Sequence, residues 1–154
     1  MKKNLSENKL PRIRVAALVR EKNRYLVVKH EKNGAEYILF PGGGVKRGET
    51  LKDALRREVL EETGYLSKPL DIVLVNDSIC PEGGKHTVNI YFRTEIIKDT
   101  GKASKDPAVI DRFFIRSDRL KKEGVRPDIL DFLDNLNTCA EDKPVYAGNV
   151  WKNY

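Results

Sequence analysis

The chain has 154 residues, 40% apolar and 34% charged, with a net charge of +6. That is enough for one domain with a real core, and the composition is ordinary for a soluble globular protein. Its longest apolar runs, such as residues 15–19, are too short to span a bilayer, and the opening MKKNLSENKLPRIR holds no apolar stretch of a secretory signal.

Residues 1–11 read as a polar extension. Residues 12–20 read as a strand, with Ile13, Val15, Ala17 and Val19 alternating against Arg14 and Arg20. A turn at 21–24 leads to a second strand at 25–30, a second turn at 31–34 and a short strand at 36–40. Pro41-Gly42-Gly43-Gly44 then forms a loop, and a helix spans 50–63. Residues 70–79 form a strand, 80–85 a Gly-Pro loop, and 86–98 a long alternating strand with Val88, Ile90 and Phe92 on one face. A polar loop at 99–107 precedes a last strand at 109–115. After Arg126-Pro127 the spacing of Ile129, Leu130, Phe132, Leu133 and Leu136 predicts a helix over about 128–137. Residues 138–154 read as an irregular tail carrying Val145, Tyr146, Val150, Trp151 and Tyr154. The tail packs on the domain or on a second copy, so a homodimer is one expectation. The order of elements predicts a mixed α/β (α+β) domain, with helices on a mixed sheet. Cys80 and Cys139 fit no metal spacing and are expected as free thiols in a reducing cytoplasm. The positive charge suits an anionic ligand. It also suits nucleic acid, but the basic residues are scattered and lack interleaved stacking aromatics.

The chemistry concentrates in residues 43–65, GGVKRGETLKDALRREVLEETGY. Thr50 followed by Asp53 marks a helix start, and Gly64 a stop. Leu51, Ala54, Leu55 and Val59 form the apolar stripe. At helical spacing Glu58 and Glu62 fall inside it, and Glu61 lies at its edge. Three carboxylates as i, i+3, i+4 neighbours repel one another, and burial raises their pKa values. A divalent cation reverses both penalties, and oxygen ligands favour a hard ion, Mg²⁺ or Mn²⁺. The glycines ahead of the helix, Gly42, Gly43 and Gly44, allow backbone amides to approach a metal or phosphates closely.

The same residues resemble the signature of the Nudix hydrolases: Gly, five residues, Glu, seven residues, Arg-Glu, apolar, any, Glu-Glu, any, Gly, apolar. Here those positions are Gly43, Glu49, Arg57, Glu58, Val59, Glu61, Glu62, Gly64 and Tyr65. Tyr65 departs mildly from the aliphatic residue usual there. The resemblance implies a Nudix fold over residues 1–154, with a mixed sheet sandwiched between helices. It implies metal-dependent hydrolysis of a nucleoside diphosphate linked to another moiety. It implies Glu58, Glu61 and Glu62 as metal-binding and catalytic residues, with a backbone carbonyl of Gly42 or Gly43 joining the metal. Glu49 and Arg57 become the pair that links loop to helix and orients the ligands. Glu61 is either a third ligand or the group that orients a metal-bound water.

A base outside the signature is expected among Glu95, Asp99, Asp106 and Asp111. His30 reads as a strand-end surface residue, and His86 as a substrate contact at most. Pro81, sixteen residues past the signature, resembles a feature of the ADP-ribose pyrophosphatase group, although it also suits a turn. An adenine could stack on Tyr25, Tyr37 or Phe40. The leading expectation is therefore hydrolysis of ADP-ribose or a nucleotide sugar. The alternatives are a pyrophosphatase of normal or oxidised nucleoside triphosphates, a non-catalytic nucleotide sensor or RNA-binding module, and an enzyme acting on RNA 5′ ends.

Overall fold

A computed structural model describes residues 10–138 and 143–152. The expectations for residues 1–9, Cys139 and Tyr154 lie outside the described residues. Among the described residues, nine strands and three helices follow in chain order: β1 Arg12–Leu18, β2 Arg20–Glu21, β3 Arg24–Lys32, β4 Ala35–Leu39, β5 Gly42–Gly44, α1 Leu51–Thr63, β6 Tyr65–Ile79, β7 His86–Asp99, β8 Val109–Arg116, α2 Ser117–Glu123, α3 Leu130–Thr138 and β9 Val145–Asn149.

The first sheet runs β5-β1-β7-β6-β9 and is mixed: β1 lies parallel to β7 and β9 parallel to β6, while β5–β1 and β6–β7 are antiparallel. In the second sheet β3 pairs antiparallel with β2 and β4 along one edge and with β8 along the other. Strand alternation divides the core in two. Val15, Ala17, Val19, Leu26 and Phe92 bury against Ala54, Leu55 and Val59 of α1. Ala16, Leu18, Tyr25, Val27, Leu74 and Tyr91 face the other way and bury with Leu120 of α2 and Ile129 and Leu133 at α3. Each of β1 and β3 is thus covered by helices on both faces, which is why both read as near-continuous apolar runs.

Several boundaries differ from the sequence reading. β6 begins directly after Gly64 rather than at 70. Its register shifts at Leu66/Ser67, Pro69/Ile72 and Ile72/Leu74, and these bulges accommodate Pro69 and blur the period-2 pattern. Helix α2 is absent from the sequence reading because it buries only Leu120, too little to generate a periodic stripe. The glycine loop contains the short strand β5, paired with Arg14, Val15 and Ala16. The tail is not irregular throughout: β9 adds a parallel edge strand to β6. Its sequence VYAGN carries no alternation that would announce it. Tyr25 and Phe40 are core residues, 3% and 1% exposed, and meet edge to face, so neither offers a stacking surface. Tyr37 lies against His30 on one side and the Arg126 guanidinium on another.

Candidate active site

Helix α1 is held at both ends. Thr50 Oγ1 accepts from the Asp53 amide at 3.1 Å, closing the first turn. Gly64 takes the left-handed conformation (φ 72°), and its amide donates to the Leu60 carbonyl. Gly64 is required twice over, because a Cβ there would sit 2.2 Å from the Lys102 carbonyl oxygen. That contact belongs to a latch. Thr100 Oγ1 and its amide donate to the Gly64 carbonyl at 2.6 and 3.1 Å, and Ser104 Oγ and the Lys105 amide donate to the Glu61 carbonyl at 3.1 and 2.7 Å. The loop satisfies carbonyls that the helix end leaves orphaned and fixes where Asp106 stands.

The glycine strand lies across the carboxylate face of α1. The Gly42 amide donates to Glu62 Oε2 at 2.8 Å. A Cβ on Gly43 would fall 2.4 Å from the Glu58 carboxylate, and a Cβ on Gly42 would fall 2.0 Å from the Val15 carbonyl oxygen. Glycine here is a requirement of approach, as its position before the helix suggests.

Arg57 organises one side. Its guanidinium grips both oxygens of Glu49 at 2.6 and 3.0 Å and donates to the Gly44 carbonyl at 3.1 Å, to Glu58 Oε1 at 2.6 Å and to Glu61 Oε2 at 3.3 Å. This two-pronged pairing is the geometry to which a planar guanidinium is suited. The Arg57 bond, helped by the Lys46 amide, holds the Glu49 carboxyl down at about 2. The same pairing raises Arg57. Glu58 is pushed up instead: burial dominates, Arg57 opposes it, and the charges of Glu62 and Glu61 add to it.

Glu62 faces the other side. It is 3% exposed, and its Oε1 lies 3.3 Å from His30 Nε2. That nitrogen is buried and makes no hydrogen bond. Among the described residues, His30, Glu62 and Asp106 form a metal-capable group, each offering a ligand atom within 4.8 Å of the others. The three carboxylates take different partners: Arg57 holds Glu58 and Glu61, and Gly42 and His30 hold Glu62. One expectation changes. His30 is not a surface residue: its side chain is 13% exposed. The signal was present, since alternation along β3 puts His30 on the same face as Leu26, which packs under α1.

Of the four acids proposed as a base, Asp106 is the one in this group. Asp99 pairs with Arg112 and the Gly101 amide, and Asp111 with the Arg112 amide. Glu95 is exposed on β7, opposite Lys68 of β6. His86 bonds Asp77 at 3.0 Å, away from these residues. Pro81 occupies the turn between β6 and β7, where the Gly83 amide returns to the Cys80 carbonyl.

The residues fit a divalent cation on three grounds: a half-buried carboxylate with a raised pKa, a buried imidazole nitrogen that faces the Glu62 carboxylate without a hydrogen bond, and a glycine where any side chain would strike Glu58. The sequence profile of the NUDIX domain matches residues 10–136. The chain belongs to the Nudix family.

An ADP-ribose pyrophosphatase of Methanocaldococcus jannaschii is 31% identical over 97 residues, covering 62% of this chain and 57% of that protein. Phosphatase NudJ of Escherichia coli is 33% identical over 72 residues, covering 47% of each. The chain thus spans about half the length of the curated relatives it matches. A NUDIX hydrolase of Nitrosomonas europaea superposes with a TM-score of 0.78 at 21% identity, over 88% of this chain and 94% of that one. A MutT protein of Methanosarcina mazei superposes at 0.67 with 27% identity, over 86% and 96%. No helix among the described residues is long and apolar enough to cross a membrane.

Proposed function

We propose that this chain is a Mg²⁺- or Mn²⁺-dependent pyrophosphohydrolase that cleaves the diphosphate of a nucleoside diphosphate linked to another moiety, with ADP-ribose or a nucleotide sugar as substrate. The observation that carries the reading is the glycine strand over Glu58 and Glu62. It leaves carboxylates and backbone groups facing the same space with no side chain between them. The similarity to an ADP-ribose pyrophosphatase supports the substrate class.

Glu58 and Glu62 would hold the cation, with Glu61, His30 and the Gly43 backbone as further donors. A bound cation would supply neutralisation of the charge that builds on phosphate oxygens. Arg57 keeps Glu58 and Glu61 in place through its anchor on Glu49 and Gly44, a positioning role. Asp106 stands where it can take the proton of the attacking water, one oxygen held by the Ala108 amide at 2.9 Å. Water supplies the new P–O bond, the bridging P–O bond breaks, and two phosphate monoesters leave. The second reading is a nucleoside triphosphate pyrophosphatase, favoured by the likeness to the Methanosarcina mazei MutT protein. Its products, a monophosphate and pyrophosphate, separate it from the first.

The test is turnover of ADP-ribose, nucleotide sugars, dinucleoside polyphosphates and normal and oxidised triphosphates with each metal, beside Glu62→Gln. Selective turnover that the substitution abolishes is the expected result. Absence of turnover across the panel, with nucleotides still bound, would overturn the enzymatic reading in favour of a nucleotide sensor.

A further inference from the structure

The last strand is attached differently from those it joins. None of the five residues of β9 is buried, whereas β1 buries its last four. Val145 and Tyr146 are 39% and 67% exposed, and Ala147 only touches the margin of the core. Among the described residues β9 pairs with β6 alone, and the register breaks between Val75 and Asp77. Its hold is polar instead and gathers at two points. The first is Asp77 of β6. Its Oδ2 accepts from the Tyr146 hydroxyl at 2.5 Å, its carbonyl accepts from the Val150 amide at 2.9 Å, and His86 of β7 braces Oδ1 at 3.0 Å. Asn149 adds to this catch, its Oδ1 accepting from the Ile79 amide at 3.1 Å. The second point is Asp128. It accepts from the Leu130 amide at the start of α3 at 3.1 Å and pairs with Lys152 Nζ.

Between the two catches the chain borders a cleft of about 190 Å³, with Val150 and Trp151 on one side and Arg14, Asn89 and Pro127 on the other. A segment with no buried residue in its strand, held by exposed polar anchors, belongs to the low-stability end of a fold and opens locally more often than the core unfolds. Opening here removes one wall of the cleft. A ligand seated between the walls binds the docked segment and not the open one. It therefore shifts the segment toward docking by as much as its affinity and concentration allow.

We propose that residues 145–152 form a strap that opens and docks independently of the core, with Asp77 and Asp128 as its catches, and that a nucleotide in the cleft closes it. The strap is inferred from its own contacts; the nucleotide as occupant rests on the hydrolase reading. Hydrogen exchange of the full chain, resolved to residues 145–150 and to β1 and β7, tests it with AMP as the probe. In the free protein the strap amides should exchange at least about tenfold faster than those of β1 and β7. AMP at about 100 times its dissociation constant should slow them about a hundredfold. Tyr146→Phe removes one hydrogen bond to a charged group and no core contact, so strap exchange should rise roughly tenfold while β1, β7 and Tm hold. Lys152→Ala should loosen the strap from its other end, and the two substitutions together more than either alone. Glu62→Gln, inactive on the hydrolase reading, should still close its strap with AMP, which separates the two proposals. Strap amides that exchange no faster than β1 and β7, or that ignore both substitutions, would overturn the strap even if turnover is normal. AMP that leaves strap exchange unchanged, bound or not, would overturn its closing role. Exchange that follows these expectations in a protein that turns over nothing would sustain the strap while the hydrolase reading falls.

Discussion

Gly43→Ala separates the chemistry from the fold. The added methyl would lie 2.4 Å from the Glu58 carboxylate, against ordinary contact at 3.4 Å or more, so the carboxylate must retreat by about 1 Å. Gly43 has no positive φ that would strain an alanine, and what it strikes is the far end of a side chain. The backbone therefore has no reason to move. Glu58 does, and it drags on Arg57, which it meets at 2.6 Å. A misplacement of about 1 Å at a catalytic group costs on the order of 10²-fold in rate. We expect kcat to fall by about that factor, Mn²⁺ binding measured by calorimetry to weaken, and Tm to change by less than about 4 °C, the shift from roughly 1 kcal/mol in a chain of this size. Gly42→Ala is the contrast: its methyl meets the Val15 carbonyl oxygen at 2.0 Å and Ala16 Cα at 2.7 Å, both backbone, so β5 must part from β1 and Tm should fall well beyond that. Initial rates, calorimetry and thermal melts of the two proteins side by side decide it. A Gly43→Ala enzyme with wild-type rate and metal affinity would refute the reasoning, because the Glu58 position would then be immaterial.

Arg57→Lys keeps the charge but cannot hold both Glu49 oxygens together with Glu58, Glu61 and the Gly44 carbonyl; kcat should drop at least about tenfold with a smaller change in KM, and an unchanged kcat would dismiss the positioning role. Glu49 titrates at about 2 in the fold against an ordinary 4.5. Its contribution to stability is thus complete above 4.5 and is lost as pH falls through the folded value. The Tm difference between wild type and Glu49→Gln should be flat at neutral pH and shrink as pH drops from 4.5 toward 2, and a difference indifferent to pH would contradict it. Asp77 is held low by the Tyr146 hydroxyl at 2.5 Å and secondly by His86. Tyr146→Phe should raise the Asp77 pKa toward its ordinary value, read from the carboxyl carbon shift by NMR; no movement would mean that the hydroxyl contributes little.

Local chemistry was legible wherever it is written in consecutive residues. The limits of α1 and its capping by Thr50 and Gly64 follow from spacing within one helix, and the Glu49–Arg57 pair from the resemblance that the signature carries. What depends on distant segments meeting was not. His30 and Asp106 are far apart in sequence from Glu62 and reach it only because β3 lies under α1 and loop 100–107 is latched to the helix end. For the same reason the spacing of Glu58, Glu61 and Glu62 sets their Cβ positions but not the partners that turn each carboxylate. Of the aromatic candidates, Tyr25 and Phe40 belong to the core, and the parallel pairing of β9 in the tail has no local signature.

That pairing has a consequence for how the chain is made. β6 emerges as soon as α1 is complete, and β7 covers one of its edges by a short hairpin. The other edge waits for β9, which arrives only after β8, α2 and α3. With synthesis at about 5–20 residues per second, the outer edge of β6, including the apolar run Ile72-Val73-Leu74-Val75, stays open for seconds as a template for any passing strand. The nascent protein is therefore most exposed to misassembly in the interval before its closing strand appears, and chaperone dependence should fall on this edge rather than on the early-sealed core around α1.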